Sequence, residues 1–290
     1  MDSSRNDYQR TLEAALRVGF RIEDVLPDEA ELDRSLPFLP ESLAQVEGLT
    51  FLSASERRAL NQIRGHSYLR LFGIVEEFIL PFVADHARAR FGADDYETRA
   101  LLQFAAEEAK HIHLFKRFAE RFERAFGSGH EVIGPASGIA DAVLSHHPLG
   151  VALMILQIEW LTQRHYVDSV RDSAALDPLF KSLLHHHWLE EAQHARLDTL
   201  IVESLAERSS RAEIARGVAD YQRIAELLAE GLRTQVSLDL AALERLTERA
   251  LTPRERAAAL EQQAEAYHYT FVESGVTHPR FAATYSQLTA

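Results

Sequence analysis

The sequence predicts an all-α protein built on a four-helix bundle with one long crossover connection. Three observations lead there. Gly (13) and Pro (9) are scarce and clustered, and the stretches between them keep a helical period. Ala, Leu, Glu, Arg and Gln, all good helix formers, dominate those stretches. No alternating Val/Ile/Thr run bounded by turn residues occurs, so strands lack support.

The elements follow in order. A short helix is expected over 8–19, then a segment punctuated by Pro27, Pro37 and Pro40. Ser53-Ala54-Ser55-Glu56 reads as a capping box that opens the first long helix, running to about residue 90. Asp94-Asp95-Tyr96-Glu97 opens the second, which ends at Phe126 before Gly127-Ser128-Gly129. Residues 127–148 hold most of the mid-chain Gly and Pro and read as the crossover. The third long helix covers about 149–173. Asp177-Pro178 supplies an N-cap and a first-turn proline for the fourth, which reaches about residue 207. Two further helices are expected near 211–248 and 253–273, and the tail through Gly275-Val276-Thr277-His278-Pro279 reads as loop. No composition shift divides the chain. One domain is expected over 1–290, with its core at 53–207, an N-terminal extension at 1–52 and additional helices at 208–290.

Composition narrows the chemistry. The chain has 290 residues and no Cys, which excludes disulfide scaffolds, thiolate metal sites, iron–sulfur clusters and Cys nucleophiles. The formal net charge is −13, from 44 acidic and 31 basic residues, and argues against nucleic acid and anionic membranes as partners. The polar opening segment has no export signal, and the most apolar run, Leu149 to Leu161, is short and carries Gln157 and Glu159. A cytoplasmic protein is expected. No phosphate-binding Gly-rich loop, dinucleotide turn or nucleophile elbow is present.

The informative residues are acids and histidines. The second long helix contains Glu107-Glu108-Ala109-Lys110-His111, and the fourth contains Glu190-Glu191-Ala192-Gln193-His194. Residues three apart share a helix face, so Glu108 with His111, and Glu191 with His194, can each grip one ion. Both pairs lie on apolar stripes: Leu101, Ala105, Phe115 and Phe118 in one helix, Leu184 and Ile201 in the other. Polar groups on a core stripe are costly unless paired or bound to a cation. A third Glu-x-x-His, Glu265 to His268, lacks the preceding Glu and is taken as coincidence.

The other two long helices supply what a two-metal site lacks. Glu159 sits among Leu153, Ile155, Leu156, Ile158, Trp160 and Leu161, where an unpaired charge would be expensive. The first helix offers Glu76 and Glu77. Glu77 is favoured because it shares a face with His66, Arg70, Gly73 and Leu80. It also stands 31 positions before Glu108, close to the 32 that separate Glu159 from Glu191. Pro81, four residues on, deprives the Glu77 carbonyl of its helical partner. One Glu from each of two helices, with Glu-x-x-His from each of the others, is the di-iron or di-manganese carboxylate arrangement. Hard oxygen ligands with imidazoles suit Fe or Mn. Glu76, Glu107, Glu190 and Tyr166 are expected behind the ligands, and Phe104, Phe115, Leu156 and Tyr166 are candidates to line a substrate cavity.

This pattern resembles the ferritin-like di-iron carboxylate superfamily over about 53–207. His187 precedes Glu191 by one turn, giving His187-x-x-x-Glu191-x-x-His194 on one face. That spacing is similar to the extra-histidine motif of the p-aminobenzoate N-oxygenase family. The resemblance implies a third imidazole ligand, His187, on the Glu159–His194 side, two irons (or Mn, or mixed Mn/Fe) and O2 as co-substrate. It further implies oxidation of a small organic substrate, in that family an arylamine, with an external electron donor and a homodimeric assembly. Other relatives fit less well. The radical tyrosine of ribonucleotide reductase small subunits would fall at Phe115, and rubrerythrins need Cys. Acyl desaturases share the doubled Glu-Glu-x-x-His but not the third His. A ferroxidase or iron-handling bundle is the competing class.

Overall fold

A computed structural model describes residues 2–92, 94–127 and 130–290, with side chains from Asn6 onward. Among the described residues there is no strand. Eight long helices carry the architecture: α1 (Asp2–Val18), α2 (Ala54–Arg88), α3 (Asp95–Phe126), α4 (Pro148–His165), α5 (Pro178–Glu207), α6 (Arg211–Thr247), α7 (Pro253–His268) and α8 (Pro279–Thr289). The four bundle helices are α2 to α5.

Their ends are set by local chemistry. Ser53 accepts from the Glu56 amide while the Glu56 side chain accepts from the Ser53 amide, so two otherwise orphaned donors are satisfied at the start of α2. Asp94 accepts from the amides of Tyr96 and Glu97 at the start of α3. Asp177 accepts from Phe180 at the start of α5, just before Pro178. At the end of α3, Gly127 takes φ +72°, a left-handed conformation that lets its amide close back on the Glu123 carbonyl. Ser128 and Gly129, the remainder of that expected stop, lie outside the described residues. Pro81 leaves α2 helical through to Arg88.

Three expectations need correction. The crossover contains a nine-residue helix, Ala136–Leu144, which packs on α2. The third and sixth expected helices do not run through as α-helix, because α4 and α7 each pass into a five-residue π-turn, Tyr166–Val170 and Tyr269–Glu273. The tail is not a loop. Pro279 at the first turn, behind a His278 ring that accepts from the Arg280 amide, starts α8.

The hairpins α2/α3 and α4/α5 face one another, and α3 and α5, which carry the doubled Glu-Glu-x-x-His sequences, are in direct contact. The additional helices close the open sides. α1 lies across α3 and α5, while α6 packs on both α2 and α4. The α4/α6 crossing is close enough that a Cβ on Gly150 would stand 2.7 Å from the Gly217 carbonyl oxygen, so only glycine fits there. A core of buried Leu, Ile, Val and Phe fills the bundle, and the acid–histidine residues lie inside it. No helix among the described residues is long and apolar enough to cross a membrane.

Candidate metal centre

The stripe pattern places the key side chains inward. On α3, Leu101, Glu108, His111, Phe115 and Phe118 are all buried, and on α5 so are Leu184, His187, Glu191, His194 and Ile201. Glu159 on α4 is 1% exposed. Glu76, Glu108, His111, His187, Glu191 and His194 meet at the centre of the bundle as two overlapping groups, and the Glu159 carboxyl stands beside them against Glu191. Glu76, His111, His187 and Glu191 form one, and Glu108, His111, Glu191 and His194 the other, each with its donor atoms within 4.8 Å of one another.

Two expectations about this set are corrected. Glu76, not Glu77, points inward: Glu76 is 2% exposed, whereas Glu77 is half-buried and pairs with Lys116 at 3.1 Å on the outside of the α2/α3 hairpin. The reason is the face. Leu69, Phe72, Glu76, Ile79 and Val83 make the buried stripe of α2, and Glu77 belongs to the adjoining, more exposed row with Arg70, Gly73 and Leu80. With Glu76 the hairpin spacings also become identical, since Glu76 and Glu108 are 32 positions apart, as are Glu159 and Glu191. The second correction concerns His187. Its Nε2 lies 3.2 Å from Glu76 Oε1 and 2.8 Å from Glu191 Oε1, which puts it with Glu76 and His111 and not on the Glu159–His194 side.

The first Glu of each doubled motif supports the other motif's histidine. Glu190 on α5 receives His111 Nε2 of α3 at 2.7 Å, and Glu107 on α3 receives His194 Nε2 of α5 at 2.9 Å. Each supporting carboxylate is itself held, Glu190 by Lys110 and Glu107 by Gln103 Nε2 at 2.8 Å. These bonds turn both Nδ1 atoms toward the centre, where His111 Nδ1 lies 3.1 Å from Glu191 Oε1 and His194 Nδ1 lies 2.8 Å from Glu108 Oε1. Such outer carboxylates orient metal-binding imidazoles and raise their basicity. We therefore expect Glu190→Gln to weaken Fe(II) or Mn(II) binding by about 10–100-fold in an anaerobic titration. Unchanged affinity would show that the Glu190–His111 bond does not orient a ligand.

The donor set fits a pair of divalent cations. Glu76 Oε2, both oxygens of Glu108, Glu159 Oε2, Glu191 Oε1 and His111 Nδ1 are buried without a well-formed hydrogen bond, although Glu191 Oε1 lies 3.1 Å from His111 Nδ1 and Glu108 Oε1 lies 2.8 Å from His194 Nδ1. Unpaired lone pairs crowded in an apolar core are strongly unfavourable unless a proton or a cation takes them up. Titration behaviour says the same. Burial, with the nearby carboxylates, holds Glu76 and Glu159 well above the usual carboxylate range, and burial also raises Glu108. Burial opposes the low value of Glu191, but His187 and His194 outweigh it and keep Glu191 ionised. Burial likewise disfavours charge on His111, and the carboxylates of Glu190 and Glu191 overcome it, raising His111 to about 9.

That last shift has a consequence for the metal-free protein. His111 binds its proton more tightly when folded than its ordinary value of 6.5 allows, so its stabilising contribution is complete below about pH 6.5. It is lost as the pH rises through about 9, a difference of about 3 kcal/mol. Urea unfolding of metal-free protein between pH 6 and 10 should show this decline, and metal loading at pH 7 should release protons. A flat stability profile would sink the assignment of a protonated His111.

Other expected residues lie elsewhere. Tyr166 does not reach the centre: its hydroxyl meets His185 Nδ1 at 2.7 Å and its ring stacks on Trp188. His186 Nδ1 turns back to the Ser182 carbonyl, which leaves His187 alone of its run facing inward. Phe104 stacks on the His194 ring at 4.0 Å, and Phe115 meets the His187 ring at 5.1 Å, so both brace ligand imidazoles. Neither they nor Leu156 or Tyr166 line the apolar cavity near the centre. That cavity, about 60 Å³, lies between α2, α4 and α6 and is walled by Leu71, Phe72, Met154, Ile158 and Phe271, with Gln157 as its one polar wall residue. One residue escaped the sequence reading altogether. Asp198, four positions after His194 and seven after Glu191, is fully buried with neither oxygen hydrogen-bonded, and burial raises its pKa well above the usual range. Its place on the ligand face of α5 was the signal.

The all-α bundle has the same fold as solved R2-like ligand-binding oxidases. Two solved structures are similar over most of their length. One is an R2-like ligand-binding oxidase variant with an aerobically reconstituted Mn/Fe cofactor, at TM-score 0.50 and 13% identity, covering 90% of this chain and 92% of that one. The other is a variant of an R2-like ligand-binding oxidase with an aerobically reconstituted Fe/Fe cofactor, at TM-score 0.50 and 14% identity, covering 97% and 92%. No family model and no curated protein matches the chain.

Proposed function

We propose that this protein is an oxidoreductase that activates O2 at a dinuclear iron or manganese centre to oxidise a small organic substrate. The observation that carries the reading is the convergence of the buried carboxylates Glu76, Glu108, Glu159 and Glu191, each with an unpaired oxygen, on the buried imidazoles of His111, His187 and His194. Four Glu and two divalent ions are mutually neutralising, which accounts for so much buried acid in one place. The metal cofactors of the two similar structures support the same choice of ions.

Glu76, His111 and His187 would hold one ion, Glu108, Glu159 and His194 the other, with Glu191 within reach of both. Such a pair, when bound, supplies electrons for reducing O2. The chain's own residues do the rest. Glu107 and Glu190 fix the imidazole tautomers, and Phe104, Phe115 and the aliphatic core exclude water. The apolar cavity borders Phe72, whose ring meets His187 at 5.6 Å, so a substrate there would stand one side chain from the centre. Its walls suit an uncharged, apolar or aromatic molecule.

The finer reading is amine N-oxygenation. It rests on the resemblance of His187-x-x-x-Glu191-x-x-His194 to the arylamine oxygenases and is supported by His187 lying within the donor cluster. Anaerobic loading with Fe(II) or Mn(II), then O2 and an uncharged arylamine, is the test. Two ions per chain, O2 consumption and an N-oxygenated product are expected. Uptake of many irons per chain would favour an iron-handling bundle instead, and O2 consumption with desaturation of an acyl substrate would favour a desaturase.

A further inference from the structure

Tyr68 on α2 is buried, and its hydroxyl lies 2.9 Å from Nδ1 of His165, the last residue of α4. His165 is buried too, and its Nε2 lies 2.9 Å from Ser274 Oγ. Ser274 in turn reaches the Thr270 carbonyl oxygen at 2.7 Å. These contacts settle who donates. A carbonyl only accepts, so the Ser274 hydroxyl hydrogen is committed to Thr270, and Ser274 Oγ must accept from His165 Nε2–H. The neutral ring then has a bare Nδ1, and the Tyr68 hydroxyl donates to it. Burial pushes His165 down to about 3, so the ring is neutral at rest and Nδ1 carries no proton. Burial also raises the Tyr68 phenol, so no phenolate forms at rest.

The phenol is close to the metal centre. Its ring packs on Phe72 at 4.7 Å, and Phe72 meets the His187 ring at 5.6 Å. Other buried tyrosines have acceptors but differ in setting; Tyr221, for one, donates to the Gln157 amide oxygen, which is not a base. Tyr267 donates to Asp239 at 2.5 Å, yet the Arg64 guanidinium sits 3.5 Å over its ring, and that cation disfavours withdrawal of an electron. Tyr166 pairs with His185, which is not fully buried, away from the ligand cluster.

We propose that Tyr68 and His165 form a one-electron relay serving the dinuclear centre. Tyr68 gives one electron to the oxidised iron or manganese pair, its O–H bond breaks, and the proton forms an N–H bond at His165 Nδ1. The products are a neutral tyrosyl radical and an imidazolium whose Nε2–H stays on Ser274. An external reductant reverses the step, returning the electron to Tyr68 and the proton from Nδ1. Losing an electron makes a phenol a far stronger acid than imidazolium, so proton and electron leave together only where a base is already in contact. The pair meets that condition with no solvent involved.

The relay rests on the oxidase reading for its natural oxidant, so the test has two arms. In the first, protein loaded with Fe(II) or Mn(II) is mixed with O2, freeze-quenched and examined by electron paramagnetic resonance. In the second, metal-free protein is oxidised by a flash-generated ruthenium(III) complex. A tyrosyl signal is expected, reduced at least tenfold in Tyr68→Phe, formed at least tenfold more slowly in His165→Phe, and unchanged in Tyr166→Phe. Failure to bind two ions would overturn the oxidase reading while the metal-free arm still decides the relay. A signal of undiminished size in Tyr68→Phe, or no tyrosyl signal from the wild-type protein in either arm, overturns the relay.

Discussion

Glu191→Ala should abolish binding of two metal ions, lowering affinity for the pair by more than about a hundredfold, beyond the loss expected for an outer-layer residue. Glu191 alone of the carboxylates reaches into both groups. Its Oε1 lies 2.8 Å from His187 Nε2 and 3.1 Å from His111 Nδ1, and its Oε2 lies 3.3 Å from His194 Nδ1. Removing it takes a ligand from each ion and the counter-charge from three imidazoles. Anaerobic titration with Fe(II) and metal analysis after desalting give the stoichiometry, and circular dichroism confirms that the helices remain. Glu76→Gln should lose one ion, while Glu77→Gln should bind two ions normally, because Glu77 faces Lys116 outside the bundle. Two ions at wild-type affinity in Glu191→Ala would remove this cluster as the metal site.

Asp239→Leu should cost about 3–5 kcal/mol of stability, on the scale of breaking a buried charge network. Asp239 on α6 is 1% exposed and accepts from four side chains: Ser67 Oγ at 2.7 Å, His130 Nε2 at 2.9 Å, Gln235 Nε2 at 2.8 Å and the Tyr267 hydroxyl at 2.5 Å. Those donors come from α2, the crossover, α6 and α7, so one carboxylate ties the additional helices to the bundle. Leucine is close in volume but accepts nothing, leaving each donor buried without a partner. Urea unfolding followed by circular dichroism measures the change. A loss below about 1 kcal/mol would mean the four donors find other acceptors or water.

The helices were legible because their signals are local. Ser53 and Glu56 cap within four residues, Asp177 precedes Pro178, and the core stripes of α3 and α5 repeat at the helical period. Glu108, His111, Glu159, Glu191 and His194 were legible for the same reason, since a charge on an apolar stripe has few bland explanations. What was read wrongly depended on contacts between elements. Neighbouring positions Glu76 and Glu77 differ by one step around α2, and the side that faces inward is set by where α2 lies against α3. α8 was missed because its apolar contacts, such as the Tyr221–Phe281 and Tyr221–Tyr285 ring pairs, are made with α6. The two π-turns likewise lie where His165 and Thr270 take part in tertiary bonding.

The sequence by itself determined the helical class, the two Glu-Glu-x-x-His hairpin partners and the restriction to nitrogen and oxygen ligands, because spacing on one helix and the absence of Cys need no neighbours to have meaning. Only the tertiary structure decided that Glu76 faces the centre and that His187 sits with His111. It also showed that Glu107 and Glu190 each support a histidine on the opposite helix. Those are relations between side chains on different helices, and the orientation of one helix about its axis against another is fixed by the packing of all of them together.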